Sequence, residues 1–218
     1  MIESGRVEVN GQTVTEPGMR FDLSKARICV DGKLLAAARE SKRTIMLYKP
    51  VGVISTLDDP FGGKTVKDLL RGVKERLVPV GRLDKDSEGM LLMSNDGELV
   101  NRLTHPRYEH EKTYEVKVAG RWSEEKLAIL RGRVEMPDGY LTRPVPVAVR
   151  EVSSDHTAEL VFKLREGRKR QIRYMCSAAH LVVLKLKRVA VGALKLDARL
   201  RPGEWRDLSA GELEALNK

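Results

Sequence analysis

Three aspartates in one short stretch of the sequence could act as a nucleophile or a general base. Asp84 and Asp86 lie between Gly81 and Gly89, in a polar loop flanked by apolar segments. Glycines let the backbone turn and approach a ligand closely, and a polar loop held between strands often presents a reactive group. Asp96 precedes a glycine at a predicted helix start, so we assign it to a turn or an N-cap. Two carboxylates remain as candidates for chemistry.

Asp84 is the aspartate that we expect to be partly buried, because it follows Leu83 directly. Asp86 has Lys85 and Ser87 as neighbours, which is typical of a solvated loop residue. A partly buried carboxylate needs a cation beside it, since otherwise its pKa rises and it becomes neutral. By this pattern alone, Asp84 can be either a functional or a structural group.

The surplus of basic residues is concentrated near the end of the chain. Lys and Arg number 40 against 31 Asp and Glu, a net charge of +9, and residues 165–206 hold 12 basic and 3 acidic residues. A localised surplus favours a polyanionic partner such as RNA, DNA or an anionic membrane, although a solvated basic surface has the same composition. The segment lacks an amphipathic helix with bulky aromatic residues, which argues against a membrane surface.

Composition and cysteine content exclude several other classes. Hydrophobic residues make up 41% of the chain and charged residues 33%, as in a globular domain and unlike a disordered chain. The sequence shows neither a signal-peptide pattern nor an apolar run near the ~20 residues of a transmembrane helix. Cys29 and Cys176 form no CxxC pair, and the histidines show no metal-ligand spacing. We therefore expect reduced thiols, no metal or cofactor, and a cytoplasmic location.

Apolar periodicity predicts the elements that position these groups. Residues 1–42 are predicted as a small β-rich unit, with a hairpin at Asn10-Gly11 and a linker or short helix at 36–42. Residues 43–218 form the larger domain. Its predicted strands cover 44–48, 77–80, 90–93, 113–118, 145–152, 158–164 and a strand-pair region at 181–191, and its predicted helices cover 66–70, 96–104, a segment capped by Ser123, and 171–179. Because helices and strands mix without βαβ alternation, the fold class is α+β, with a mostly antiparallel central sheet and flanking helices.

The loop that carries Asp84 belongs to a longer pattern. Gly-Arg-Leu-Asp at 81–84 is followed by a serine, a glycine, four apolar residues and Asn-Asp-Gly at 95–97. This run resembles the signature of the RsuA-type family of ribosomal RNA pseudouridine synthases. The resemblance implies the pseudouridine synthase fold and gives the catalytic role to Asp84.

Two segments before and after this loop resemble further motifs of the same family. Residues 47–55 are similar to its first motif, a lysine-proline turn after the opening strand. Residues 111–116 are similar to the motif whose tyrosine stacks on the target base, which implies that role for Tyr114. From the residues alone, a tyrosine that alternates with valines is equally typical of a core strand.

Two late segments complete the resemblance. Residues 166–175 are similar to the motif whose arginine pairs with the catalytic aspartate, which implies that role for Arg173. On a predicted helix it would otherwise be an ordinary surface arginine. Residues 184–189 are similar to the hydrophobic and basic strand that follows, with Leu186 packed near the site.

The resemblance implies that the protein isomerises a uridine of ribosomal RNA to pseudouridine without metal or redox cofactor. Asp84 would act as a nucleophile on the sugar or as a base that takes a sugar proton, and the sequence leaves both routes open. Arg173 would keep Asp84 ionised. The residues expected to contact RNA are Lys49, Arg82, Arg168, Lys169, Arg170, Leu186, Lys187 and Arg188. We expect a monomer whose partner is ribosomal RNA, free or in a pre-ribosomal particle.

The N-terminal unit resembles the second half of an S4 RNA-binding domain. Residues 3–11 and 30–34 are similar to its strands, whereas the two helices that open that domain are missing or reduced to the end of the second. The resemblance implies a partial S4-like RNA-binding unit within residues 1–42. The alternative for the whole chain is a non-catalytic ribosomal RNA-binding assembly factor, which would not depend on Asp84.

Overall fold

The structure is a computed structural model that describes residues 1–19, 21, 26–35, 41–153 and 156–216. The chain divides into two compact units, 1–41 and 42–218. The linker or short helix predicted at 36–42 lies mostly outside the described residues. Among those residues, no helix is long and apolar enough to cross a bilayer.

The first unit holds a sheet built from two hairpins. Its strands are β1 (Val7–Val9), β2 (Gln12–Val14), β3 (Ile28–Val30) and β4 (Lys33–Leu34), paired in the order β2-β1-β3-β4. The predicted Asn10-Gly11 hairpin is confirmed, because β1 and β2 pair antiparallel around it. Both turn residues have positive φ, 54° and 82°, the conformation that a tight hairpin turn needs.

The second unit contains the remaining elements. Its strands are β5 (Thr44–Lys49), β6 (Val78–Val80), β7 (Glu88–Ser94), β8 (Lys112–Ala119), β9 (Val147–Val152), β10 (Thr157–Leu164), β11 (Val182–Val191), β12 (Leu194–Lys195) and β13 (Trp205–Asp207). Its α-helices are α1 (Gly97–Thr104), α2 (Glu124–Arg131), α3 (Gln171–Ala178) and α4 (Ala210–Ala215), and short 3₁₀ helices lie at Val66–Leu69 and Pro106–Tyr108.

Among the described residues, nine strands form one sheet in the order β13-β5-β7-β11-β8-β10-β9, with β6 paired to β7 and β12 to β11. The pairs are antiparallel except β7 with β11, which run parallel with Glu88 opposite Lys187 and Gly89 opposite Arg188. The predicted α+β class with a mostly antiparallel sheet is confirmed.

The central strand β7 is buried along its whole length because both faces of the sheet are covered. Leu91 and Met93 belong to the apolar cluster that includes residues of α2 and α3, whereas Met90 and Leu92 belong to the cluster that includes residues of α1 and α4. Successive side chains of a strand point to opposite faces, so a continuous apolar run suits a strand between two layers.

The predicted helix caps and strands agree with the structure in some places and differ from it in others. Asp96 is the N-cap of α1 and accepts from Glu98 N at 3.1 Å, so the N-cap prediction is confirmed. Ser123 stands at the N-cap of α2 without a side-chain capping bond. The strand pair predicted at 181–191 is wrong, because these residues form the single strand β11. Helix α4 and the short strand β13 were not predicted.

Candidate active site

The loop at residues 81–87 connects β6 to β7 and is fixed by bonds to its backbone. Ser55 Oγ donates to Leu83 O at 2.8 Å and accepts from Leu83 N at 3.1 Å. Gly52 N donates to Lys85 O at 2.7 Å. These bonds hold the backbone on both sides of Asp84, whose side chain is half-buried. A reactive carboxylate on a fixed backbone needs little reorganisation before reaction.

Lys49, at the end of β5, holds the same loop through a buried hydrogen bond. Its side chain is fully buried, and Nζ donates to Ser87 O at 2.7 Å and to Pro50 O at 2.9 Å. Burial lowers the pKa of Lys49 to about 8, although the charges of Asp84 and Asp86 act in the opposite direction. The prediction that Lys49 contacts RNA is wrong, because its ammonium group is buried against backbone carbonyls. Lys49 instead positions the loop.

We expect Lys49 to make the free energy of unfolding depend on alkaline pH. Its pKa is lower in the folded state, so the unfolded chain binds more protons between pH 8 and 10.5, and stability rises with pH over that window. The rise amounts to up to about 3 kcal/mol for this one group. Denaturant unfolding of the wild type and of Lys49→Met at several pH values measures it as a growing difference between the two proteins.

The matched control is Lys195→Met, which removes an exposed lysine. Its difference from the wild type should stay constant over the same pH window. A constant difference for Lys49→Met as well would contradict the assignment of a lowered pKa to Lys49.

A cavity of about 230 Å³ collects the residues predicted for catalysis. Asp84 comes from the loop, Tyr114 from β8, Arg173 from α3 and Leu186 from β11. Tyr114 and Leu186 are nearly buried and form part of the sheet floor. The structure therefore brings together four residues that are up to about 100 positions apart in the sequence.

Arg173 makes its contacts with Asp86 rather than with Asp84. Its Nη2 donates to Asp86 O at 2.8 Å, and its Nε lies 3.3 Å from Asp86 Oδ2. Arg170 Nη1 also donates to both carboxylate oxygens of Asp86, at 3.1 and 3.0 Å. The predicted pair of Arg173 with Asp84 is not formed, because Asp86 of the same loop contacts the guanidinium groups of both Arg170 and Arg173. Asp86 is thus an ion-paired residue and not simply a solvated one.

The segment before α3 supplies further charge to the cavity wall. Arg170 begins the helix in a left-handed conformation, with φ 57°, which is uncommon for a residue with a side chain. Arg168 stacks on Tyr140, with its guanidinium carbon 3.6 Å from the ring centroid, and pairs with Asp138 at 3.4 Å. Lys169 is exposed and also lines the cavity.

Arg82, from the loop that carries Asp84, also lines the cavity and is exposed. In the part of the chain that the structure describes, neither Arg82 nor Lys169 has an ion-pair partner within 4.0 Å.

Lys187 and Arg188 on β11, which were also predicted to contact RNA, are not exposed side chains of the catalytic cavity. Arg188 is buried, and its Nε donates to Met90 O at 2.8 Å, so it is not one of the exposed cations of this cavity, and its contact with RNA stays a prediction. Lys187 Nζ lies 5.0 Å from the centroid of the Tyr48 ring and lines a different cavity. Neighbouring residues of a strand point to opposite faces, so Lys187 faces away from Leu186 and from the catalytic cavity.

The chemistry available in the cavity is that of a carboxylate beside an aromatic ring and a basic rim. Among the described residues, no group of three or more His, Cys, Asp or Glu side chains is arranged to hold a metal ion. The nearly buried ring of Tyr114 offers a stacking surface for a planar base, and the half-buried Asp84 lies in the same cavity.

Comparison with known proteins identifies the family. Residues 43–178 match the family model described as RNA pseudouridylate synthase. The chain belongs to this family. The synthase family converts uridine in RNA to pseudouridine, and the predicted resemblance is confirmed.

Individual relatives agree with the family model over the whole chain. The "Ribosomal large subunit pseudouridine synthase B" of Bacillus subtilis is 39% identical over 219 residues, which cover 99% of this chain and 87% of that protein. An "Uncharacterized RNA pseudouridine synthase" of Aquifex aeolicus is 38% identical and covers 100% and 86%. A crystal structure of a pseudouridylate synthase superposes with a TM-score of 0.74 at 28% identity and covers 99% of this synthase and 90% of that chain.

Proposed function

We propose that this synthase isomerises a specific uridine of ribosomal RNA, with Asp84 as the catalytic residue. The observation that carries the proposal is the meeting of Asp84, Tyr114 and Arg173 in one cavity. The relative from Bacillus subtilis is named for the large ribosomal subunit, and this supports large-subunit RNA as the substrate.

The target uridine must first leave its stack. Flipping a base out of a duplex costs a few kcal/mol, and stacking it on Tyr114 returns about 1–3 kcal/mol. Leu186 is nearly buried on the neighbouring strand and adds apolar surface to the same cavity. In this arrangement the ribose of the bound uridine lies towards Asp84.

The reaction exchanges one bond for another without any net redox change. The C1′–N1 bond breaks, the uracil rotates, and C1′ bonds to C5; the proton on C5 is then lost and N1 gains one. Asp84 starts this sequence as an ionised carboxylate, either by attacking the sugar or by abstracting a sugar proton. The fixed backbone at Leu83 and Lys85 holds it in place for either route.

Arg173 acts as a positioning residue in this proposal. It holds Asp86 through both the carbonyl and the carboxylate, and Asp86 is two residues from Asp84 in the same loop. Its guanidinium group also lines the cavity that holds Asp84.

RNA binding is assigned to the exposed cations at the rim, Arg82, Arg168 and Lys169, together with the N-terminal unit as a partial S4-like module. We assign the synthase to the cytoplasm, as a monomer; the free thiols of Cys29 and Cys176 are compatible with that compartment.

Incubation of the purified protein with an unmodified large-subunit ribosomal RNA transcript tests the proposal. We expect pseudouridine at one defined uridine, and its absence from ribosomal RNA of cells that lack the gene. A non-catalytic assembly factor would instead bind the transcript without forming product. It would lose binding when Arg168, Lys169 and Arg170 are all changed to glutamine, and would not respond to changes at Asp84.

A further inference from the structure

A second cavity, of about 500 Å³, adjoins the catalytic cavity and shares Arg82, Tyr114, Gly167 and Arg168 with it. We name it the basic cavity, after the six Lys and Arg residues in its lining: Arg82, Lys112, Arg143, Arg165, Arg168 and Arg188. Its lining contains two acidic residues, Glu109 and Glu166. The cavity therefore carries a formal surplus of four positive charges.

Both acidic residues already have partners at the edge of the basic cavity. Glu109 Oε1 pairs with Arg143 Nη1. Glu166 accepts from the Tyr140 hydroxyl at 2.8 Å and from the side-chain amide of Gln171. Neither carboxylate is therefore available to neutralise the cations deeper in the cavity.

The two inner cations flank the base-stacking tyrosine. Arg188 on β11 is directly opposite Tyr114 on β8, and Lys112 is two residues before Tyr114 and so on the same face of β8. Lys112 Nζ donates to His110 O at 2.9 Å, and Arg188 Nε donates to Met90 O. In the described ranges, no carboxylate lies within 4.0 Å of either side chain.

The electrostatic environment of Lys112 and Arg188 favours an anion beside them. Burial, and then the charge of Arg188, lower the pKa of Lys112 to about 8. Two like charges held out of water repel each other, and an anion between them would remove both the repulsion and the desolvation penalty. His110 adds a ring atom, Nε2, that is buried without a protein partner.

We propose that the basic cavity binds a phosphate group of the substrate RNA, in a nucleotide next to the uridine held on Tyr114. This proposal rests on the proposed function, which supplies a polyanionic substrate at the adjoining cavity. Phosphate oxygens accept several charge-assisted hydrogen bonds at once, as Lys112, Arg188 and His110 can offer. A phosphate there would fix the strand on one side of the flipped base and so orient its ribose towards Asp84.

Salt dependence of RNA binding tests the proposal, with the large-subunit ribosomal RNA transcript as the probe. Each phosphate contact contributes about 0.7 to the slope of log K against log salt for a single strand. We expect Lys112→Met to lower the magnitude of the slope by about that amount and to weaken binding about tenfold at moderate salt. Lys112→Arg should restore both values, because it keeps the charge and the donors.

The matched control is Lys117→Met, on the same strand but on the opposite face, in a different cavity. It should leave the slope unchanged. The proposal is overturned if Lys112→Met binds like the wild type, if the two methionine variants lose equal slope, or if Lys112→Arg fails to restore binding while remaining folded. Binding is measured without product, so a wild type that binds RNA but makes no pseudouridine would reject the proposed function and leave this result intact.

Discussion

Replacing Asp84 with asparagine should abolish pseudouridine formation while leaving the fold and RNA binding intact. The amide has the same shape as the carboxylate but can neither attack the sugar nor take a proton. Loss of a general base costs about 10²–10⁴-fold in rate, and loss of a nucleophile costs more, up to about 10⁶-fold. Single-turnover rates on the ribosomal RNA transcript, with RNA binding measured in parallel, give the size of the loss.

Asp86→Asn makes the same chemical change two residues further along the loop. Asp86 is partly exposed and pairs with Arg170 and Arg173, so its loss should slow the reaction less than about tenfold. If Asp84→Asn retained the wild-type rate, or if Asp86→Asn caused the larger loss, the catalytic role would have to move from Asp84.

Gly89→Ala should lower the free energy of unfolding by about 4 kcal/mol, from the combined cost of a backbone clash and an unfavourable backbone conformation. A Cβ at Gly89 would lie 2.3 Å from the backbone O of Arg188 and 2.7 Å from its backbone N. The residue also has φ +110°, which side chains with a Cβ rarely adopt. These backbone atoms of Arg188 cannot move away easily, because Arg188 pairs with Gly89 in the parallel pairing of β11 with β7.

Denaturant midpoints compare this variant with Gly97→Ala, a control in the first turn of α1. A Cβ at Gly97 meets no atom within 4 Å, and alanine is the better helix former, so that variant should be as stable as the wild type or slightly more stable. Equal midpoints for the two variants would show that the close approach of β7 and β11 is not required in solution.

Much of the fold could be predicted because its signals are local. The alternation that predicts a strand at 113–118 corresponds to β8, in which Tyr114, Val116 and Val118 are buried and the residues between them are not. The N-cap at Asp96 and the turn at Asn10-Gly11 depend on their own neighbours, and both were predicted correctly. The family motifs also point to Asp84 and Tyr114, and both residues line one cavity.

The errors concern residues whose surroundings come from distant parts of the chain. Lys49 and Arg188 are buried, and a charged residue at a strand end or within a basic segment gives no local sign of this. Arg173 on α3 donates to Asp86 O, a contact between residues 87 positions apart that the sequence does not show. Lys112 was not selected, although its position two residues before Tyr114 could have placed it on the same face.

The parallel pairing of β7 with β11 joins Glu88 to Lys187, roughly 100 positions apart along the chain. Closing so long a loop is entropically costly, and such contacts form late in folding. During translation, the wall that carries Asp84 therefore leaves the ribosome long before Arg173 and Leu186 exist to complete the cavity. The growing chain must keep the apolar strand β7 from aggregating until β11 is made, and it can modify no RNA until most of its length has been synthesised.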